Sequence, residues 1–277
     1  MNSIKKMMLS GALGCLISGM AYADGSSPQP VKPYWQDIQV VAVNKEKPRS
    51  SFMSYADRET ALTSRFEKSP YYSLLNGTWK FFFVDSYKDL PQNITDPSVN
   101  TSSWDDITVP GNWEVQGHGV AIYTNHGYEF KPRNPQPPLL PEANPVGVYR
   151  RDIEIPASWD NRDIYLHIGG AKSGLYVYLN GKEVGYSEDS KNPAEFLINK
   201  YLQPGKNVLT LKIFRWSTGS YLECQDFWRM SGIERDVFLW SQPKANIQDF
   251  RVVSTLDDTY TNGIFKLAVD LKNHTQE

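Results

Sequence analysis

The 277-residue chain is predicted to be all-β: an antiparallel sandwich or jelly roll, followed by the opening strands of a second domain. Three observations predict it. Short runs of alternating apolar residues recur from Tyr71 onward, broken by turn residues, with no long amphipathic helix between them. Asn180-Gly181 lies between two such runs and supplies the two positive-φ positions of a type I′ hairpin turn. After Pro243 only two more strand-like runs follow, "NIQDFRVVSTL" and "GIFKLAVDLKN". An immunoglobulin-like sandwich takes about 100 residues and about seven strands, and two strands alone are marginally stable.

Composition excludes some function classes. The formal net charge of -2 gives no pull toward nucleic acid or an anionic membrane. Aromatic content is 13%, with 8 Trp and 16 Tyr. Aromatic faces stack on the C–H faces of sugars, although β-rich cores also use many aromatics.

In chain order, residues 1–23 read as an export signal. Lys5 and Lys6 precede an apolar run from Met7 to Met20, and Ala21-Tyr22-Ala23 gives a small-x-small cleavage pattern. The run is too short to span a bilayer comfortably, so no membrane span is expected. Soluble export, to the periplasm, is favoured over acylation of Cys15 in "ALGC". Cleavage after Ala23 leaves Cys224 as the one cysteine, without an intrachain disulfide. Residues 24–69 form an extended arm, with "PRSSFMSY" extended and "ADRETAL" a short helix. A sandwich over 70–243 then uses "NGTWKFFFVD", "DITVPGNW", "VYRRDIEIP", "DIYLHIGG", the Asn180-Gly181 hairpin, "NVLTLKIFRW" and "ERDVFLWSQP". Ile164, Leu166 and Ile168 share one face, as do Leu209, Leu211 and Ile213. The stretch 131–147 is too rich in proline for a helix or central strand. Residues 244–277 are the first strands of the truncated second domain.

The stretches "VPGNWEVQGHGVAIYTNHGYEF", "PPLLPEANPVGVYRR", "GAKSGLYVYLNGKEVGYSEDSKNPAEF" and "FRWSTGSYLECQDFWRMSGIERDVFL", in that order, resemble the N-terminal sugar-binding domain of glycoside hydrolase family 2, above all its large bacterial β-galactosidases. The arm resembles theirs at Asn44, Pro48, Phe52 and Arg58. The likeness covers roughly residues 34–277. It implies a jelly-roll first domain, an immunoglobulin-like second domain and a catalytic TIM barrel. A barrel needs about 250 residues, so the chain is expected to be the N-terminal portion of an exported β-galactosidase.

Retaining glycoside hydrolysis needs two carboxyl groups about 5 Å apart. The family carries both on barrel glutamates, the acid following an asparagine, and no Asn-Glu dipeptide occurs here. No catalytic residue is therefore assigned. The carboxylates of "SYLECQDFWRMSGIERDV" are expected instead to join Arg229 and Arg235 in a local ion-pair network. Asp226 is the exception. It matches the family aspartate beside the sugar, which also ligates sodium. Asn125 in "YTNHGY" matches the asparagine that reaches into the galactose pocket, and its amide can both donate and accept. Read without the resemblance, both are turn-capping residues. His126 and Cys224 depart from the family pattern beside them. Cys224 has no basic neighbour to activate it, and His118 and His126 lack the close spacing of a zinc pair. The family's magnesium ligands belong to the absent catalytic domain.

The expected partners are a β-galactoside and the remaining domains of the enzyme, with homo-oligomerisation left open. Two other classes remain: a free-standing carbohydrate-binding module, and a non-catalytic subunit completing a separately encoded catalytic chain.

Overall fold

The computed structural model describes residues 32–130 and 134–275. The export-signal reading, Cys15 included, falls outside them. Among the described residues no helix is long and apolar enough to cross a membrane.

The early strands are β1 (Ala42–Val43), β2 (Tyr72–Leu74), β3 (Gly77–Val84), β4 (Asp105–Val109), β5 (Gly111–Asn112) and β6 (Ile122–Thr124). The middle strands are β7 (Val146–Glu154), β8 (Arg162–Ile168), β9 (Ala171–Lys172), β10 (Gly174–Leu179), β11 (Lys182–Ser187) and β12 (Ala194–Leu197). The last are β13 (Lys206–Phe214), β14 (Phe227–Arg229), β15 (Gly232–Ile233), β16 (Val237–Pro243), β17 (Ala245–Leu256) and β18 (Gly263–Asn273).

A seven-stranded antiparallel sheet, β1-β11-β10-β13-β7-β3-β4, faces a four-stranded one, β12-β8-β16-β2. The inward face of the large sheet carries Trp79, Phe81, Tyr149, Leu175, Leu209, Leu211 and Ile213. They meet Ile164, Leu166, Ile168, Phe196, Val237 and Leu239 from the small sheet, all buried. Both predicted single-face triplets lie in this core. The Asn180-Gly181 turn has φ of 53° and 77° and joins β10 to β11, as the dipeptide predicts.

Alternation fails where a second layer covers the outside of a sheet. In β7 the first five residues are all buried. Tyr149 points into the sandwich, while Val146 and Val148 lie under a second cluster with Trp35, Trp104, Tyr176, Tyr186 and Phe214. The small sheet is covered in the same way, where Met53 packs on Tyr165, Phe238 and Trp240. Trp35 and Met53 belong to the arm.

The arm is thus less irregular than its sequence reads. Its predicted helix is the single turn Arg58–Leu62, capped by Asp57, whose Oδ1 accepts from Thr60 N at 2.8 Å. Its unforeseen element is β1, which pairs Ala42 with Ser187 and Val43 with Tyr186 at the edge of the large sheet. A Cβ on Gly185 would stand 2.3 Å from the Val43 carbonyl, so this close approach needs glycine.

One ion pair fixes the arm. Arg49 Nε and Nη2 donate to Glu195 Oε2 and Oε1 at 2.9 and 3.0 Å, and its guanidinium lies 4.3 Å over the Trp240 ring. His167 Nδ1 and Trp240 Nε1 reach the same carboxylate at 2.8 and 3.1 Å. Burial pushes the Glu195 carboxyl up, but the His167 hydrogen bond and the Arg49 charge outweigh it and hold the group below its ordinary value. One residue on, Ser50 N donates to Asp249 Oδ1 at 2.8 Å and Ser50 Oγ to the Phe250 carbonyl at 2.8 Å. The arm therefore links the sandwich to the β17–β18 hairpin.

That hairpin pairs along its length with one bulge between Ile247 and Asp249. Register sets Val252 opposite Leu267 and Phe250 opposite Val269. Val252, Leu256, Phe265, Leu267 and Val269 on this face are exposed.

Two outcomes are expected. Arg49→Ala leaves the buried Glu195 carboxylate with His167 and Trp240 but without its arginine, and should destabilise the chain by about 3 kcal/mol at neutral pH. Because the folded pKa of Glu195 is depressed, the pair's contribution is complete above the ordinary glutamate value, about 4.3, and disappears as pH falls through the depressed value. Urea unfolding of both chains at several pH values checks this, and their difference should shrink on acidification. Amide exchange checks the second: β17 and β18, with an uncovered apolar face, should exchange faster than β13.

Candidate sugar-binding site

The site is built from the ends of a small ribbon. Ser217 and Ser220 form a capping box around the 3-10 turn Thr218–Tyr221. Beyond it the backbone turns twice through the left-handed region, at Cys224 (φ 58°) and Asp226 (φ 48°). Aspartate tolerates this conformation better than most residues. The chain then enters β14, which pairs with β6: Phe227 with Thr124, Trp228 with Tyr123, Arg229 with Ile122.

This register puts Asn125 and Asp226 side by side, one step past the last pair. Asp226 N donates to the Asn125 carbonyl at 3.1 Å. Tyr123 OH donates to Asp226 Oδ1 at 2.7 Å, and that bond holds the phenol above its ordinary pKa. Both Asn125 and Asp226 are exposed. Strand pairing sets Tyr123 and Trp228 on one face of the ribbon, ring centroids 5.6 Å apart at 63°, each about half exposed. Phe227 is also exposed, with Lys191 Nζ 5.5 Å from its ring.

Asp226 differs from the carboxylates around it. Glu223 is turned inward and accepts from Ser190 N at 3.0 Å and Ser190 Oγ at 2.6 Å, and burial pushes its carboxyl up. Glu188 accepts from Tyr186 OH and Thr218 Oγ1 at 2.7 Å and from Gly219 N at 2.8 Å, and is likewise raised by burial. Glu234 pairs with Lys191, and Asp236 accepts from Asn76 Nδ2 at 2.8 Å. These partners replace the local network expected with Arg229 and Arg235. Sequence neighbours at a sheet end point apart, so each finds a partner from a distant segment.

Two buried arginines lie beneath the ribbon. Arg215 donates to the Val120 and Arg229 carbonyls at 2.9 and 3.1 Å and stands 3.5 Å from Glu114. Arg229 donates to the Glu223 and Gly127 carbonyls at 2.9 and 3.3 Å. Glu114 accepts from Ser231 N through both oxygens and is raised by burial. Tyr123, Trp228 and this underlayer were missed in the sequence. The one available signal was the alternation of "IYT" against "FWR", too short to pair by inspection.

Cys224 is a half-buried free thiol in the turn. His118 packs edge-on to Phe81 at 4.8 Å. Among the described residues no group of three or more His, Cys, Asp and Glu could hold a metal ion.

Residues 72–243 match the glycosyl hydrolases family 2 sugar binding domain. A β-galactosidase of Priestia megaterium is 40% identical over 245 residues, covering 87% of this chain and 24% of that enzyme. One from Psychromonas ingrahamii is 36% identical over 243 residues, with 88% and 23% covered. The crystal structure of a β-glycosidase from Bacteroides vulgatus shares the fold at a TM-score of 0.55 and 22% identity, covering 74% of this chain and 25% of that one. The chain spans about a quarter of the length of the curated relatives it matches.

The raised Glu223 carboxyl carries a pH dependence. Its folded pKa exceeds its unfolded one, so its contribution is complete below the ordinary glutamate value and is lost as pH rises through the raised value. Glu223→Gln is neutral at every pH and keeps an acceptor for Ser190 N. Urea unfolding from about pH 5 to pH 7 should show part of the wild-type fall in stability missing from the variant.

Proposed function

The chain belongs to glycoside hydrolase family 2, residues 72–243 forming its sugar-binding domain, and from that premise we propose that it is the N-terminal, carbohydrate-binding portion of an exported, periplasmic β-galactosidase. Its part is to supply Asn125 and Asp226 to a galactose pocket that other domains complete. One observation carries the reading: the β6–β14 register sets these residues next to each other, solvent-facing, on a buried underlayer.

The chemistry suits a sugar. The Asp226 carboxylate accepts from hydroxyls, held in place by the Tyr123 phenol. The Asn125 amide donates and accepts. Tyr123 and Trp228 offer half-exposed aromatic faces beside them. Hydrolysis with retention would need a second carboxyl about 5 Å away across the scissile bond. The neighbours Glu223, Glu234 and Asp236 are committed to Ser190, Lys191 and Asn76. Binding is therefore this portion's role, with the acid and nucleophile supplied by the catalytic domain of the relatives' fold.

A sodium ion fits Asp226 as one hard-oxygen ligand. Its Oδ1 already accepts from Tyr123, so most of the ion's shell would come from sugar hydroxyls, water and the other domains. Bound there, the ion would supply positive charge to sugar oxygens, and Asp226 would orient it. Magnesium chemistry would belong to the catalytic domain.

Few contacts imply weak binding by this chain alone. Each hydrogen bond contributes about 0.5–1.5 kcal/mol net, against about 4 kcal/mol for millimolar affinity. Saturation-transfer NMR with methyl β-galactoside should detect weak contact that Asp226→Ala abolishes, and the chain should not turn over a chromogenic galactoside. Transfer unchanged in Asp226→Ala would remove the sugar role. Micromolar binding dependent on Asp226 would make the chain a free-standing binding module.

A further inference from the structure

We propose that Arg229 is the positioning residue that sets Asn125 against Asp226. The inference deepens the reading of these residues as sugar contacts and rests on it for its functional meaning.

The two residues sit on different turns, and β6 and β14 contribute only three residue pairs. So short a ribbon is marginal by itself and leaves its ends free to fray. Arg229 reaches both turns from below. Its Nη1 donates to the carbonyl of Glu223, three residues before Asp226, at 2.9 Å. Its Nη2 donates to the carbonyl of Gly127, two residues after Asn125, at 3.3 Å. A guanidinium is planar and its donors form a rigid fork, so holding one carbonyl fixes the position of the other.

The fork is itself held. Arg229 is 3% exposed, and Glu129 Oε2 lies 3.8 Å from its Nε. Glu129 accepts from Trp216 Nε1 at 2.9 Å. The Arg229 carbonyl accepts from Arg215 at 3.1 Å, which ties the residue to the end of β13. A chain of contacts therefore runs from the large sheet through Arg215 and Arg229 to both turns. Tyr128 OH also links the turns, donating to the Tyr221 carbonyl at 3.2 Å, but farther along the chain from Asp226. Lysine keeps the charge but puts all its donors on one freely rotating nitrogen, without the planar fork whose two arms have fixed directions, which separates fork geometry from charge.

The test uses the full chain and needs no sugar. The readouts are amide exchange of Asp226, whose N–H bonds the Asn125 carbonyl, and the scalar coupling across that hydrogen bond. In Arg229→Lys the Asp226 amide should exchange at least about tenfold faster and the coupling should vanish. The β13–β7 ladder should keep wild-type protection, a split that general destabilisation would not give. Should the lysine chain fail to fold, Glu129→Gln removes the charge that faces Arg229 Nε at 3.8 Å while keeping an acceptor for Trp216 Nε1, and should speed Asp226 exchange in the same selective way. Wild-type exchange and coupling at Asp226 in folded Arg229→Lys, or in Glu129→Gln where the lysine chain is unfolded, would overturn the proposal. Uniform loss of protection across β13 and Asp226 together would overturn it too. Selective loosening in a wild-type background that shows no galactoside contact would leave the positioning role standing and remove the sugar role.

Discussion

Loop backbone in this protein is held by arginines rooted in or beside strands. A loop leaving a sandwich carries carbonyls that no ladder satisfies, and a buried carbonyl needs a donor. Arg150 on β7 donates to the carbonyls of Ile94, Asp96 and Val99 at 2.8, 2.9 and 3.1 Å, which folds the 86–104 excursion onto the large sheet. Its neighbour Arg151 takes the Leu75 and Asn76 carbonyls at 2.6 and 3.0 Å. Arg215 and Arg229 do the same beneath the candidate site. Arginine suits the task because its charge cannot be titrated away in this interior and its several donors have fixed directions.

The candidate site depends on this arrangement more than on its own strands. Side chains that meet a ligand must stay exposed, so they cannot also be packed in place. Here the exposed layer is Asn125, Asp226, Tyr123 and Trp228, and the rigid layer is a mixed-charge floor of Arg215, Arg229, Glu114 and Glu129. Opposite charges offset each other within that floor, and the terminal guanidinium nitrogens donate to backbone carbonyls. Precision comes from residues that a ligand never touches.

The strands of the sandwich were legible because one physical rule governs them. Leu209, Leu211 and Ile213 alternate since a single buried face selects every second residue. The rule gave no warning at Val146 and Val148, where a second layer buries the other face, since nothing local announces which distant segment will lie there. The arm's β1 was hidden for the same reason: two residues, Ala42 and Val43, form a strand only because Gly185 lets them approach. At the site, Asn125 and Asp226 were reached through family resemblance, and Tyr123 was not reached at all. Its value lies in a contact 103 residues away in sequence, which no window of neighbouring residues contains. The charges around Arg229 misled for the opposite reason, being close in sequence and turned apart in space.

The arm's contacts also bear on how the fold is reached in time. Trp35 meets Tyr176 across 141 residues, Arg49 meets Glu195 across 146, and Ser50 meets Asp249 across 199. Synthesis runs from the N-terminus, so the arm emerges well before any of these partners. Until β11 and β12 exist it has no sheet edge to join and no carboxylate to hold. Closing such long loops is entropically costly and is deferred until local hairpins have formed. A segment made early is consequently among the last to be fastened, and the parts of both sheets that it will cover stay open in the interval.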